Sequence, residues 1–326
     1  MKKTLKRVLC AVLAVAMLAA FAGCAKINYV TNETVGAIKA VKNGDWQNTG
    51  DDAESETSDA DVSVLETSFA AGTYGGVEFA SIEDVASYYV EAYNYTKSLT
   101  AQYINAEGQT ETFYKLLGDE KLEVGSIMIG GAENSMINNM VPGIVSGIFA
   151  PNIYGLVPCY NRNPEADNNF DDATKKNDHD FRTSGVVADD ILDANITDNG
   201  DGTITMVIQP KAGSMSFRGE DSQGRFFEVL GDIGGAVSSI SVISFASGTP
   251  EENVIVDYKG GTVTVKIDTA TKEIVEADYV MIANVAVNHA NVAVIKDKSA
   301  SLVITYTNHF PASDEYLMET KGVKKA

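Results

Sequence analysis

Between residues 275 and 287 every second side chain is apolar: Val275, Ala277, Tyr279, Met281, Ala283, Val285 and Val287. A period of two places them on one face of a β-strand. About 13 residues in that conformation reach roughly 43 Å at ~3.3 Å per residue, and strands that long twist and curl. The chain therefore has to build a large curved sheet with one buried face. Val263, Val265 and Ile267 alternate with Thr262, Thr264 and Lys266 just before it, with a turn over residues 268–272 between the two strands. Asn288-His289-Ala290-Asn291 reads as the turn after the long strand, and Leu302, Ile304 and Tyr306 mark the return strand.

The same alternation occurs earlier. Leu192, Ala194 and Ile196 pair across residues 198–202 with Ile204, Met206 and Ile208, as in a hairpin. Leu99, Ala101 and Tyr103 suit a half-buried strand. Helical spacing appears at Ile82, Val85, Tyr89, Ala92 and Tyr93, behind a capping box of Ser81 and Asp84. A Gly-rich apolar helix is expected over residues 226–240 and a short helix over residues 31–43. Helices early and strands late make an α+β fold: a long curved antiparallel sheet, half-barrel-like, packed on helices.

The first residues set an address. Lys2, Lys3, Lys6 and Arg7 precede an apolar run over residues 8–22, the layout of a secretory leader. The run ends in Phe21-Ala22-Gly23-Cys24. That ending resembles the lipobox of bacterial lipoproteins, with Phe21 where the family usually has Leu. The resemblance implies cleavage before Cys24 and diacylation of its thiol. An ordinary cut after Ala20-Phe21-Ala22 is the rival reading. Two acyl chains anchor stably where one does not. The expected organisation is a lipoprotein signal peptide at 1–23, an anchor and short helix at 24–49, an acidic flexible tether at 50–73 and a single α+β domain at 74–326. Residues 50–72 carry seven acidic residues and no basic ones, too little apolar surface to offset ordering.

The net charge is -20 and becomes more negative once the basic leader is removed. Such a polyanion repels nucleic acid, so that class of partner is excluded. Of three cysteines, Cys10 lies in the leader and Cys24 at the anchor, which leaves Cys159 without a partner for an intramolecular disulfide. No apolar run after residue 22 is long and clean enough to span a membrane.

Residues 81–310, through Asp257-Tyr258-Lys259-Gly260-Gly261 followed by TVTVKIDTATKEIVEADYVMIANVAV, resemble the sheet core of exported lipoproteins with a LolA- or LppX-like half-barrel. They also resemble a group of clostridial-type exported lipoproteins, through the opening helix SIEDVASYYVEAYNYTKS, the unit VVADDILDANITDNGDGTITM and the turn IDTATKEIVEADY. In the half-barrel family helices lie across the mouth of the sheet and the space between can hold acyl chains. The residues that fit this role lie in the nearly uncharged stretch 125–158, where Met136, Met140, Ile144 and Ile148 belong to an amphipathic stripe that Pro142 and Gly143 should kink. Methionine suits irregular apolar surfaces. These four are the candidate ligand-binding residues, against the alternative that they are permanent core.

Catalytic and metal patterns are sparse. Thr197, Asn199, Asp201 and Gly202 imitate a calcium loop, but Ile208 stands where a bidentate acid belongs. Asp178-His179-Asp180, with Asp171 and Asp172 nearby, lies in a polar loop, and His289 and His309 sit beside Asn at strand ends. No nucleophile elbow, zinc-protease helix or phosphate loop is present. The chain is thus expected to be no enzyme and to use no metal or cofactor. Its expected place is the extracytoplasmic face of the cell membrane, held by its lipid anchor, with a lipid or other hydrophobic small molecule as ligand. The alternatives are an envelope protein-interaction lipoprotein with a closed core, its partner unidentified, and the solute-binding lipoprotein of a transporter.

Overall fold

The computed structural model of the chain describes residues 62–125, 127–130, 132–133, 151–152, 155–158, 183–229, 231, 243–292, 295–311 and 322–326. The expected helix at 31–43 lies outside them. The described part opens with strands β1 (Gly72–Tyr74) and β2 (Val77–Phe79), an antiparallel hairpin, followed by helix α1 (Ile82–Ser98). The Asp84 carboxylate accepts the Ser81 N–H at 3.0 Å, as the capping box predicts. The helix buries Val85, Tyr88, Tyr89, Ala92 and Tyr93, which recur three or four residues apart and so share one face. Next come β3 (Thr100–Ile104), β4 (Thr110–Tyr114), β5 (Gly118–Val124), β6 (Met128–Ile129), β7 (Ala132–Glu133) and β8 (Pro151–Asn152).

A 3₁₀ turn, Ala188–Asp190, leads into the hairpin β9 (Ile191–Asp198) and β10 (Thr203–Pro210), then β11 (Gly213–Ser214) and the short helix α2 (Ser222–Phe226). The chain continues through β12 (Ile243–Phe245), α3 (Pro250–Asn253), β13 (Val254–Tyr258), β14 (Thr262–Asp268), β15 (Ile274–Val292), β16 (Ile295–Phe310) and β17 (Lys324–Lys325). Twelve of the described strands form one sheet along the path β7-β6-β16-β15-β14-β10-β9 with side branches, and its two ends do not meet. A separate three-stranded sheet has the order β17-β3-β4. The fold is thus dominated by open antiparallel sheet, as the alternation requires. Among the described residues no helix is long and apolar enough to cross a membrane.

Register defines two faces. Ile196, Met206, Val265, Ala277 and Phe310 are successive cross-strand partners, all buried in the main core. The outer face carries Thr264, Asp278, His309 and Asp119 in the equivalent order.

Three details differ from the sequence reading. A register shift between Lys266 and Ile267 pairs Ile267 with Ile274. Ile274 is therefore buried while Val275 is only half-buried, because an irregularity shifts the alternation by one residue. The long strand also runs on to Val292 instead of turning over residues 288–291. There His289 has φ 50° and the register with β16 shifts twice, so the polar cluster marks an irregularity inside the ladder. Finally, α2 ends at Phe226 and residues 227–229 and 231 are not helical, while residues 230 and 232–240 of the expected helix lie outside the description.

Candidate functional site

Cys24, Met136, Met140, Ile144 and Ile148 all lie outside the described residues, as do Cys159 and the acidic loop around His179. Both ends of the stretch 125–158 are described. Its first end lies in the sheet, where Met128 and Ile129 of β6 pair with Ser301 and Ala300 on β16 and β7 pairs with β6. Its returning end includes β8, where Asn152 pairs with Gly118 on β5. Ile127, Leu156 and Val157 are buried in the same apolar cluster as Tyr89 and Tyr93 of α1.

The returning end is fixed by polar groups of α1. Lys97 donates its ammonium to the Leu156 carbonyl at 2.5 Å, and the Tyr93 hydroxyl donates to the Pro158 carbonyl at 3.0 Å. The Lys97 Nζ stands 4.5 Å from the centre of the Tyr114 ring, a cation–π contact in a desolvated setting. Gly155, at φ 77°, lies so close that a Cβ would fall 2.7 Å from that ring. Among the described residues the buried Tyr114 hydroxyl has no hydrogen-bond partner.

Deeper in, Tyr89 and Tyr279 bring their hydroxyls to 3.3 Å. Burial holds both phenols well above their ordinary pKa, so they stay neutral. Phe226 lies 5.5 Å from Tyr89, and Phe310 lies 6.1 Å from Tyr279 in an edge-on contact. On this core face Tyr279 is followed across the sheet by Asn308 and then Glu120, both almost fully buried. The described interior is therefore mainly apolar and aromatic, with Tyr279, Asn308 and Glu120 forming a polar row within it.

The outer face behaves differently. His309 Nδ1 lies 2.7 Å from Asp278 Oδ1, while Asp119 opposes His309 from the other side. The hydrogen bond to Asp278 raises the His309 pKa against the opposing effect of partial burial, with Asp278 and Glu276 adding attraction. A raised folded pKa means that the pair's stabilisation is fully present below the unfolded value of about 6.5 and is lost as pH rises through the folded value. Because both groups are partly exposed, we expect less than about 1 kcal/mol from it. Melting curves between pH 5.5 and 9 should show this as a small alkaline loss of stability that His309→Gln abolishes. An unchanged pH profile in the variant would show that the pair contributes nothing.

The calcium-like residues form the β9–β10 turn. Asp201 accepts from the Thr203 N–H and side chain and from Lys266, which lowers its pKa to about 2. Ile208, at the position of the missing acid, faces the core. Among the described residues no group of three or more His, Cys, Asp or Glu side chains is arranged to hold a metal ion. His289 pairs with Asp297 at 2.8 Å on the surface.

Sequence reasoning missed the β5 contribution: no strand is expected there, and Asp119 and Glu120 are both buried. It also missed the partly buried ion pairs beside α2, where Arg225 meets Asp190 at 2.7 Å and Arg218 meets Glu228 at 2.8 Å. No family model, no curated protein and no solved structure matches this chain.

Proposed function

We propose that this chain is an exported lipoprotein, anchored through diacylated Cys24 on the extracytoplasmic face of the membrane, whose sheet domain binds a lipid or other hydrophobic molecule without catalysis. In this reading the sheet curves as a half-barrel, helices cover its concave side, and Met136, Met140, Ile144 and Ile148 line the space between. One observation carries it: Ile127, Leu156 and Val157, at the two ends of the Met- and Ile-rich stretch, are buried with Tyr89 and Tyr93 in the main core. Anchoring of both flanks of the stripe in the apolar interior supports this reading. Desolvation would supply the affinity, at roughly 25 cal/mol per Å² of apolar area.

The anchor is tested by replacing one atom. Cys24→Ser should move the protein from the membrane to the soluble extracytoplasmic fraction and abolish incorporation of a fatty-acid label. Retention of the label would place the modification elsewhere.

A second reading, an envelope interaction protein with a closed core, is favoured by the filling of the described interior: Tyr89, Tyr258, Tyr279, Phe226 and Phe310 are each under 2 % exposed. It predicts no ligand and a salt-sensitive contact with a partner. The solute-binding reading calls for βαβ units, and the antiparallel pairings of β9, β10, β14, β15 and β16 lend it no support.

A further inference from the structure

Residues 63–69, read from the sequence as the end of the tether, are held against the folded body. The polar hold comes from two side chains that face each other across the β9–β10 hairpin, Asp193 and Gln209. The Gln209 carboxamide reads the backbone: Oε1 accepts the Val64 N–H at 2.7 Å, and Nε2 donates to the Val62 carbonyl at 3.2 Å. The Asp193 carboxylate accepts from the Ser63 hydroxyl at 2.5 Å, the Ser68 hydroxyl at 2.8 Å and the Phe69 N–H at 3.2 Å. Burial pushes the Asp193 pKa up, but these bonds and that from the Ala194 N–H outweigh it and hold the group ionised.

Both residues belong to the outer face, since their neighbours Ala194 and Ile208 face the core. The stretch held by Gln209 thus lies on the outer side of the sheet, while Phe69 at the far end of the segment packs against the main apolar cluster. Val64 comes to the open side of Gly260, where Ile282 also arrives: a Cβ on that glycine would lie 3.8 Å from Val64 and 4.0 Å from Ile282. Ile282, with Val280 and Val303, is buried yet stands apart from the main apolar cluster.

The segment contains no strand. The side chains of Asp193 and Gln209 and the partly buried Phe69 ring hold it, so opening it need not break a rung of the β9–β10 ladder. Elements held this way open locally, well below the cost of global unfolding. We propose that residues 62–69 form a releasable strap, latched by Asp193 and Gln209, which lifts off while the sheet stays folded and uncovers the surface at Gly260 and Ile282. Because the strap directly follows the acidic stretch, a pull or a partner acting on that stretch reaches the strap before the body. The inference does not depend on the nature of any ligand.

Hydrogen exchange on the unmodified full chain tests it first. The Val64 and Phe69 amides should exchange at least 100-fold faster than those of Ala277 and Tyr279 in β15. Exchange at the global unfolding rate would make the segment an integral part of the fold and overturn the proposal. In the Asp193→Ala/Gln209→Ala variant, chymotrypsin cleavage at Leu65 and Phe69 should rise more than tenfold, with the body melting within about 3 °C of the parent. Continued protection of the two sites, or a collapse of strap and body together, would equally overturn it.

Discussion

Met140→Asp should abolish loading of a hydrophobic ligand while the sheet remains folded. Burying a methionine side chain against an apolar ligand is worth about 1.5–3 kcal/mol. Aspartate forfeits that gain and also sets a carboxylate against hydrocarbon, where an unpaired charge is expensive. A loss of 2.8 kcal/mol already weakens binding about 100-fold, so the variant should be recovered empty. Far-ultraviolet circular dichroism should show the sheet signal of the parent, and mass spectrometry under native conditions should show the unliganded mass. A folded variant that still carries its ligand would remove Met140 from the lining.

Gly224→Ala should be the most damaging single methyl group in the described body. A Cβ at this position would fall 1.9 Å from the Phe217 carbonyl oxygen and 2.7 Å from its carbon. These are backbone atoms, so no rotamer change relieves the clash. The turn must separate from α2, which breaks the bond from the Gly219 N–H to the Gly224 carbonyl and displaces Arg225 from Asp190. Overpacking together with damage to a largely buried ion pair should cost about 3 kcal/mol or more. For a body of this size that is a fall in Tm of roughly 6–12 °C. Gly76→Ala is the control, since nothing lies within 4 Å and only its φ of 82° opposes a side chain. It should cost about 1–2 kcal/mol. Equal losses from the two variants would mean that the Gly224 contact is not tight.

The legible part of this fold is the part governed by period two. Ala194 and Ile208, Met206 and Val265, and Tyr279 and Val263 meet across the sheet because each strand buries alternate residues over an uninterrupted run. Alternation fails where the ladder is irregular. A single slip at Lys266/Ile267 exchanges Val275 for Ile274, and no local residue type announces it. His289 at positive φ resembles a turn residue because turns and bulges demand the same backbone conformation. β5 is harder still. In GDEKLEV, Asp119 and Glu120 are buried by neighbours far away in sequence, so polarity argues against the strand that pairing with β16 creates.

The candidate site was legible only as composition. The Met- and Ile-rich stripe has a clear helical spacing, but the groups fixing its returning end, Lys97, Tyr93 and Tyr114, come from a helix end and a strand whose periodicity carries no such message. The strap was illegible for a similar reason. Asp193 and Gln209 sit at ordinary outward positions of a hairpin, and their partners lie 124 to 147 residues earlier in the chain. Acidic composition marks the approach to the strap well but cannot place the residue at which the folded body takes hold.

The central claim is a bound hydrophobic ligand. Residues 25–326 should be purified without detergent from a bacterial host, measured by native mass spectrometry and extracted with organic solvent. The account predicts a stoichiometric adduct that the extract identifies as lipid, absent from Met140→Asp. An unliganded mass that stays unchanged on incubation with lipid would contradict it and leave the closed-core interaction protein as the better description.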